Sequence, residues 1–314
     1  MSTRVITGVS QHAVMERAGL RQLKEGGKWG RERLALATWE RRVLPDLVLA
    51  GVQRSGTTAL FEALYRLPNV ERPRRGKGSH YFSYNFDRGW EWFQSQFPTE
   101  RWAERVRSRT GRALFSFDAC PYYLFHPFAV ERMAQALPDV QVMVMLRDPV
   151  RRAESHYHHS VSHGHEDLPF VEALAREEER MAGEIDRMEQ DWSYWSHHHE
   201  HHSYLAKGLY AEQLERLFRH YDREQVMVIQ SEAFYREPDR ILGEVTSWLG
   251  LDPVGLATSD DRNGHPYRAM DPEMRTRLIE LYREPNERLF RLLGRRFDWL
   301  DGDWLDGREP PFDR

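Results

Sequence analysis

The feature that most constrains the fold is a short apolar run that enters a Gly/Ser/Thr turn and leaves as an amphipathic helix. Residues 46–64 read Asp-Leu-Val-Leu-Ala-Gly-Val-Gln-Arg-Ser-Gly-Thr-Thr-Ala-Leu-Phe-Glu-Ala-Leu. The apolar residues 47–50 are typical of a buried strand, Gly51 and Gly56 permit a tight turn, and a helix begins at the threonine pair. The N–H groups and the positive dipole end of such a helix favour an anion. The pattern therefore predicts a phosphate-binding loop.

The cation of this loop is displaced from the position that ATP-binding loops use. The glycine spacing matches Gly-x4-Gly-Lys-Ser/Thr, but Thr57 stands where the lysine is required and the cation is Arg54. Phosphoryl transfer usually relies on Mg²⁺ held beside that lysine. A sulfuryl group carries less negative charge, so one guanidinium beside a helix N-terminus suffices to stabilise its leaving phosphate. The loop argues against ATP, with an ordinary strand-to-helix turn as the alternative interpretation.

With this loop the chain resembles the sulfotransferases that use 3′-phosphoadenosine 5′-phosphosulfate (PAPS). Those enzymes have the same strand, loop and helix order, with Lys or Arg at the position of Arg54. The resemblance implies that PAPS is the co-substrate, that adenosine 3′,5′-bisphosphate (PAP) is a product, and that no metal is needed. It also implies a cofactor-binding set in the loop. That set is Gln53, Arg54, Ser55, Gly56, Thr57 and Thr58.

A second segment supports the resemblance. Five apolar residues, 142–146, suit a strand buried on both faces, and Arg147-Asp-Pro-Val-Arg-Arg-Ala-Glu-Ser155 follows them. In the sulfotransferases an Arg and a Ser at this spacing hold the 3′-phosphate of PAPS, and bidentate arginine chemistry suits that group. Helix capping after a core strand explains Asp148 and Pro149 equally well, but it does not explain Arg147 with Ser155.

The resemblance extends over almost the whole chain and is strongest to the heparan sulfate type and its bacterial relatives. Three separated segments carry it, in the right order. They are Gly89-Trp-Glu-Trp-Phe93 with Phe97-Pro98, Asp118-Ala-Cys-Pro-Tyr-Tyr123, and a carboxyl-terminal stretch from His265-Pro266 through Met270-Asp-Pro-Glu and Glu284-Pro-Asn-Glu to Asp298-Trp299.

The chain departs from that family where the catalytic base is expected. The heparan sulfate enzymes carry Glu-x-His-Phe-Phe-Asp, with the Glu as base, whereas this chain has Lys77-Gly-Ser-His-Tyr-Phe-Ser83. The glutamate position is Gly78, and only His80 is kept. Histidine has an ordinary pKa near 6.5, which suits a general base at neutral pH. We therefore predict His80 as the base, although a lone histidine is more often structural.

Two further residues are candidates for the catalytic site. Lys77 is placed to reach the sulfonate or the 5′ side of the cofactor, or else it is a solvated member of a basic cluster. Asp118 is placed to orient His80 or to bind an acceptor hydroxyl, and a cap or turn role is equally open. A lysine of the heparan sulfate enzymes is replaced by Ala119, which puts recognition of a sulfated polysaccharide in doubt.

Composition constrains the setting. With 314 residues and 40% hydrophobic content, the chain suits one large α/β domain, and a net charge of −4 gives no reason to expect nucleic acid binding. The only cysteine is Cys120, so no intrachain disulfide forms and a reducing compartment is favoured. Neither a signal sequence nor a transmembrane run of 18 apolar residues is visible. Bacterial cytoplasm is the predicted location.

Strands and helices alternate along the chain, which predicts an α/β fold with a central parallel sheet flanked by helices and ligands at the carboxyl ends of the strands. The resemblance implies the P-loop-NTPase-like sulfotransferase fold. We expect a single domain over residues 1–314, with an N-terminal helical extension over 1–42. An insertion over 178–204 is either a lid over the acceptor or a solvated helical hairpin. Predicted strands lie near 47–51, 114–118, 142–146 and 226–230, and helices near 57–66, 126–136, 149–163, 169–182, 207–220, 238–249 and 271–293.

Two histidine clusters, one over 156–165 and one over 197–202, suggest a metal site. Adjacent histidines point in different directions on a helix, so we predict a polar segment without a metal. The predicted function is transfer of a sulfuryl group from PAPS to a hydroxyl or amine of a small-molecule or glycan acceptor. The alternatives are a P-loop kinase or NTPase and a catalytically inactive nucleotide- or glycan-binding module.

Overall fold

The computed structural model describes residues 30–253 and 270–299 and contains a five-stranded sheet. All neighbouring strands are parallel, in the order β2-β3-β1-β4-β5. The strands are β1 (Leu47–Gly51), β2 (Val70–Glu71), β3 (Phe115–Ala119), β4 (Gln141–Leu146) and β5 (Val226–Gln230).

Helices cover the sheet and fill the connections between its strands. They are α1 (Thr57–Leu64), α2 (Trp90–Gln94), α3 (Glu100–Thr110), α4 (Ala129–Ala136), α5 (Pro149–Ser162), α6 (Phe170–Ala175), α7 (Glu177–Met181), α8 (Glu184–Gln190), α9 (His197–His201), α10 (Tyr210–Phe218), α11 (Ser231–Arg236), α12 (Pro238–Trp248) and α13 (Pro272–Leu293).

The core lies on both faces of the sheet because the central strands are apolar throughout. In β1, Val48 and Ala50 face one apolar cluster, which α2, α4, α10 and α13 complete. Leu47 and Leu49 face the other, which α1 and α12 complete. A strand buried on both faces reads as a continuous apolar run rather than an alternating one. The fold is therefore three-layered, with helices on each side of a parallel sheet, as the sequence predicts.

The topology brings three loops to one edge of the sheet. Strand β1 lies between β3 and β4, with Val48 opposite both Asp118 and Val142. The chain order reverses at β1, and ligands of open α/β sheets bind outside the carboxyl ends of strands at such a point. The segments that leave β1, β3 and β4 begin close to Val52, Cys120 and Arg147, so the predicted site residues converge there.

The four predicted strands are confirmed, whereas several helix predictions need correction. The helix predicted near 169–182 is two helices, α6 and α7, and those predicted near 126–136 and 207–220 begin three residues later, at Ala129 and Tyr210. The buried Glu177 accepts hydrogen bonds from the N–H groups of Leu205 and Ala206, at 2.6 and 2.8 Å. These bonds fix the start of α7 to another part of the chain.

Helix α3 and strand β2 were not predicted. Helix α3 is capped by Thr99, which accepts from the N–H of Trp102, and it ends at Gly111 in the left-handed conformation. Only Val106 of this helix is buried, so the apolar periodicity that marks a helix is too weak to detect. Strand β2 has two residues, which is too short for any pattern.

The predicted N-terminal extension falls mostly outside the described residues. Within it, residues 30–36 are helical, and Trp39–Arg41 form a 3-10 turn. The His265-Pro266 pair also lies outside. Among residues 30–253 and 270–299, none of the helices combines the length and apolar character needed to cross a membrane.

Candidate active site

The loop between β1 and α1 ends at Gly56, whose backbone conformation favours glycine. Gly56 has φ of +87°, and a Cβ at this position would lie 2.6 Å from the hydroxyl of Tyr235. Arg54 also has a positive φ, +71°, which is uncommon outside glycine and clusters at functional sites. No side chain of the described residues caps α1, and its first turn has no acidic residue. Its N–H groups are thus available to an anion.

Lys77 lies at this helix N-terminus. Its Nζ donates to Thr57 Oγ1 at 3.0 Å and to Thr58 Oγ1 at 2.7 Å. Burial lowers the pKa of Lys77 to about 8, with a smaller contribution from the charge of Arg54 and an opposing one from Cys120. Lys77 is therefore a positioned cation beside the helix dipole and not a member of a solvated cluster.

Arg54 joins the two residues predicted to bind the 3′-phosphate. Its Nε donates to Ser155 Oγ at 3.0 Å, and its NH1 lies 3.5 Å from His159 Nδ1. Arg147, 5% exposed, donates from NH1 to the carbonyl of Arg54 at 3.0 Å. The structure thus brings Arg54, Arg147 and Ser155 together. The Arg54 guanidinium lies at Ser155 rather than at the start of α1, where we expected it, and Lys77 occupies that place.

Of the other two loop residues, Ser55 is held by hydrogen bonds to the backbone and to Ser231. The Ser55 hydroxyl donates to the Val52 carbonyl at 2.6 Å, and the Ser55 carbonyl accepts from Ser231 Oγ at 2.7 Å. Any contact of Ser55 with an anion must therefore come from its backbone N–H. Gln53 is half-buried, and its Oε1 has no hydrogen-bond partner among the described residues.

The segment after β4 caps the next helix through Asp148 and Pro149, and these contacts leave the side chains of Arg147 and Ser155 out of the cap. Asp148 accepts from the N–H of Val150 at 2.9 Å and so caps α5, and Pro149 occupies the first turn. The N–H of Asp148 donates to the buried Glu232 at 2.9 Å. These contacts fix the direction in which Arg147 leaves the sheet.

The contacts of the His80 ring with Ser83 and Cys120 are made through Nδ1. The Ser83 hydroxyl donates to the His80 carbonyl at 3.1 Å, and its oxygen lies 3.4 Å from His80 Nδ1. This arrangement suits the tautomer with its hydrogen on Nδ1, in which Nε2 carries the lone pair. Cys120 Sγ also lies 3.4 Å from Nδ1, and the ring stacks on Tyr84 with centroids 4.5 Å apart. Burial lowers the pKa of His80, which keeps the imidazole neutral.

A side chain at Gly78, the sequence position of the glutamate in the heparan sulfate enzymes, would meet the His80 ring. Gly78 has φ of +83°, and a Cβ built there would meet His80 Nε2 at 3.3 Å. The imidazole therefore lies where a side chain at Gly78 would begin. Ser83, at the position of the family's aspartate, takes the role of orienting the ring.

Asp118 is committed to a buried network. Its Oδ2 accepts from Ser79 Oγ at 2.7 Å and from Tyr123 OH at 3.0 Å, and its Oδ1 accepts from the N–H of Ala119 at 3.0 Å. The side chain is 0% exposed, and burial raises its pKa. Its influence on His80 is electrostatic; within the described residues, no hydrogen bond links the two side chains.

The segment 178–204 packs beside His80 through contacts that the sequence does not indicate. Trp195 packs edge-on against Tyr84 with centroids 6.1 Å apart, and Tyr122 OH lies 2.7 Å from the buried His199 Nδ1. Glu200 is close enough to oppose the lowering of the His80 pKa. Nothing in the sequence indicates that Tyr84 and Tyr122 contact His80, so only the fold shows these contacts.

A comparison with protein families decides the classification. The model of the sulfotransferase domain matches residues 44–259, and this range contains both anion-binding segments and His80. The chain belongs to the sulfotransferase domain family. The predicted relationship to that family and its P-loop-NTPase-like fold is confirmed.

Individual relatives agree with this family. The chain is 28% identical over 280 residues to heparan sulfate glucosamine 3-O-sulfotransferase 3B1 of Homo sapiens, covering 82% of this chain and 65% of that protein. It is 24% identical over 321 residues to membrane-associated sulfotransferase kil1 of Dictyostelium discoideum, covering 82% of this chain and 66% of that protein. The chain thus spans slightly less than two thirds of these relatives.

A solved structure matches over its whole length. The sulfotransferase from Alicyclobacillus acidocaldarius is 30% identical, with a TM-score of 0.61, and the match covers 82% of this chain and 99% of that one. The three-layer fold and the order of its elements are therefore those of a bacterial member of the family.

Proposed function

We propose that this chain is a PAPS-dependent sulfotransferase that transfers a sulfuryl group to a hydroxyl or amine of a small-molecule or glycan acceptor, with His80 as the general base. The observation that carries the proposal is the convergence of three cations and an open helix N-terminus beside one neutral imidazole. Lys77, Arg54 and Arg147 supply the cations. The Walker lysine position is Thr57, so a P-loop phosphotransferase is not favoured.

The two ends of the site suit the two charged groups of PAPS. The N–H groups of α1, with Lys77 against its first turn, suit the 5′-phosphosulfate. Arg147 and Ser155 suit the 3′-phosphate, and the Arg54 guanidinium lies at this same end, where it donates to Ser155. PAPS supplies the activated sulfuryl group when it is bound. Lys77 and the α1 N–H groups then stabilise the charge that develops on the departing 5′-phosphate.

His80 is the base that the geometry supports. Its Nε2 takes the acceptor proton while the acceptor oxygen or nitrogen forms its bond to sulfur and the bond from sulfur to the 5′-phosphate breaks. The Nδ1 hydrogen bond to Ser83 supports the required tautomer. Because burial lowers the pKa of His80, the acid limb of the pH profile should lie below the ordinary histidine pKa, near 6.5.

Asp118 fits a positioning role better than the role of base. Three hydrogen bonds occupy its oxygens, and it has no exposed surface. Two of these bonds hold Ser79, next to His80, and Tyr123 to the end of β3. Asp118 therefore shapes the turn that carries His80.

The surroundings of His80 indicate the class of acceptor. Tyr84 and Tyr122 present aromatic rings to the imidazole, and Trp195 packs against Tyr84. Such rings suit the apolar face of a sugar or an aromatic alcohol. Ala119 replaces the lysine of the heparan sulfate enzymes. We therefore propose an uncharged acceptor rather than a sulfated polysaccharide, in the reducing compartment that the single cysteine favours.

The test is transfer of labelled sulfur from PAPS to a panel of phenols, sugars and amines. The wild type should label at least one acceptor. His80→Ala should retain PAP binding but lose most transfer, whereas His220→Ala, which changes an exposed histidine, should retain both. Asp118→Asn should retain transfer per folded molecule. Normal transfer by His80→Ala together with loss in Asp118→Asn would make Asp118 the base.

A further inference from the structure

The structure gathers three histidines from two segments that are separate in sequence. One ring nitrogen from each of His165, His197 and His201 lies within 4.8 Å of the others. The ring centroids of His165 and His201 are 3.9 Å apart, and those of His197 and His201 are 4.8 Å apart. His197 and His201 are one helical turn apart on α9 and so share a face. Histidines that are adjacent in sequence, on which the prediction of no metal depended, do not share a helix face.

We propose that His165, His197 and His201 bind one Zn²⁺ ion that fastens α9 to the end of α5. Imidazole nitrogens bind zinc at about 2.0–2.1 Å, usually with four ligands in a tetrahedron. Such a tetrahedron brings its nitrogens to within about 3.4 Å of one another. Small rotations of three half-buried rings close the remaining distance, and water takes the fourth position.

The backbone on both sides of the site is already held in place by Ser160 of α5. The N–H of His165 donates to the Ser160 carbonyl at 2.8 Å. The Ser160 hydroxyl donates to the His201 carbonyl at 3.0 Å. The two segments that carry the ligands are thus fixed through one residue, which reduces the ordering cost of binding an ion.

Further contacts fix the remaining freedom of the two segments. Ser196 caps α9 by accepting from the N–H of His199 at 2.9 Å and also donates to Glu184. His202 Nε2 donates to the His165 carbonyl at 2.7 Å, and His202 Nδ1 lies 2.8 Å from His198 Nδ1. His198 and His202 are therefore engaged with each other and with the backbone. They form an outer layer of the kind that supports metal ligands.

The ion would act on the order of segment 178–204 and not on the sulfuryl transfer step. The Trp195 ring packs edge-on against both His197 and His201, with centroids 5.6 and 5.8 Å away. The same ring contacts Tyr84, which stacks on His80. Fastening α9 thus holds Trp195 against Tyr84, next to the proposed base His80.

The test uses tag-free, chelator-treated full-length protein with Zn²⁺ and Co²⁺ alone. Chelator competition should show one saturable Zn²⁺ site, and Co²⁺ should give the intense visible absorption of four-coordinate cobalt. Zn²⁺ should also protect residues 178–204 from proteolysis. Binding of no ion, or of several ions with weak six-coordinate cobalt spectra, would overturn the proposal. These readouts do not depend on PAPS, so they fail or succeed separately from the proposed function.

Substitutions distinguish a defined three-histidine site from non-specific metal binding by a histidine-rich segment. Loss of a ligand should cost more than the roughly 10–100-fold in affinity that loss of an outer partner costs. His197→Ala and His165→Asn, on different segments, should both show this loss. His198→Ala removes a histidine of the same run and should cost less. Equal losses in His198→Ala and His197→Ala would contradict the site, and circular dichroism identifies any variant that is unfolded.

Discussion

The charge of Lys77 should control the pH dependence of nucleotide binding. Its Nζ lies at the N-terminus of α1, where it contacts the hydroxyls of Thr57 and Thr58, and burial lowers its pKa to about 8. A group with this pKa is roughly 90% charged at pH 7 and roughly 10% charged at pH 9. The cation that faces the 5′-phosphate is therefore lost within this range.

The dissociation constant of PAP should rise about tenfold between pH 7 and pH 9, because mainly the charged form of Lys77 binds an anion. The sign follows from the direction of the shift: the folded pKa is below that of a free lysine, so charge is lost as the pH rises through 8. The phosphates of PAP have a second pKa of about 6, so each is already about 90% ionised at pH 7. Their further ionisation changes binding far less than tenfold, and the change therefore reports the protein.

Titration calorimetry at three pH values between 7 and 9 measures this effect. Lys77→Arg is the matched control, since its guanidinium stays charged across the range, and its PAP affinity should be nearly constant. Lys77→Ala should bind weakly with little pH dependence. If the wild type and Lys77→Arg show the same dependence on pH, Lys77 is not the group that titrates against the nucleotide.

Three further substitutions test separate parts of the site. Arg54→Ala should weaken PAP binding by about tenfold or more, as loss of a charged hydrogen bond beside Ser155 does, and unchanged PAP affinity in calorimetry would remove Arg54 from the site. Gly56→Ala should lower the free energy of unfolding by more than Gly111→Ala. Both glycines have positive φ, but of the two only Gly56 has an atom within 3 Å of the added Cβ. Equal losses of stability in urea denaturation would exclude the close contact. Tyr123→Phe should cost about 1 kcal/mol or more of stability, since it removes a buried hydrogen bond to Asp118, while keeping turnover, and loss of turnover without loss of stability would place that network in the chemistry.

The parts of the fold that were predictable have local causes. Strand β4 is an apolar run that ends before Arg147, Asp148 caps the helix that follows, and all of these signals lie within ten residues. The β1–α1 loop likewise follows from its glycines and threonines. In contrast, α3 buries one side chain of its eleven residues, so its helical character arises from capping and propensity without a detectable apolar face.

The parts of the site that were not predictable depend on tertiary contacts. Residue type places Lys77 in a basic cluster, yet the path of the chain after β2 brings it to α1. Asp118 appeared available to His80 because nothing in the sequence shows that Ser79 and Tyr123 occupy its carboxylate. Similarly, the contact between Arg54 and Ser155 joins residues 101 positions apart.

The central claim is that the site recognises a nucleotide with phosphates at both the 5′ and 3′ positions, and calorimetry with PAP, 5′-AMP and ATP tests it most directly. The wild type should bind PAP at least about tenfold more tightly than either competitor, because Arg147 makes a charged hydrogen bond to the 3′-phosphate. Neither 5′-AMP nor ATP has a 3′-phosphate. Arg147→Ala should remove that preference while its circular dichroism spectrum stays unchanged. Equal affinity of the wild type for PAP and 5′-AMP, or tighter binding of ATP, would contradict the assignment of PAPS as the co-substrate.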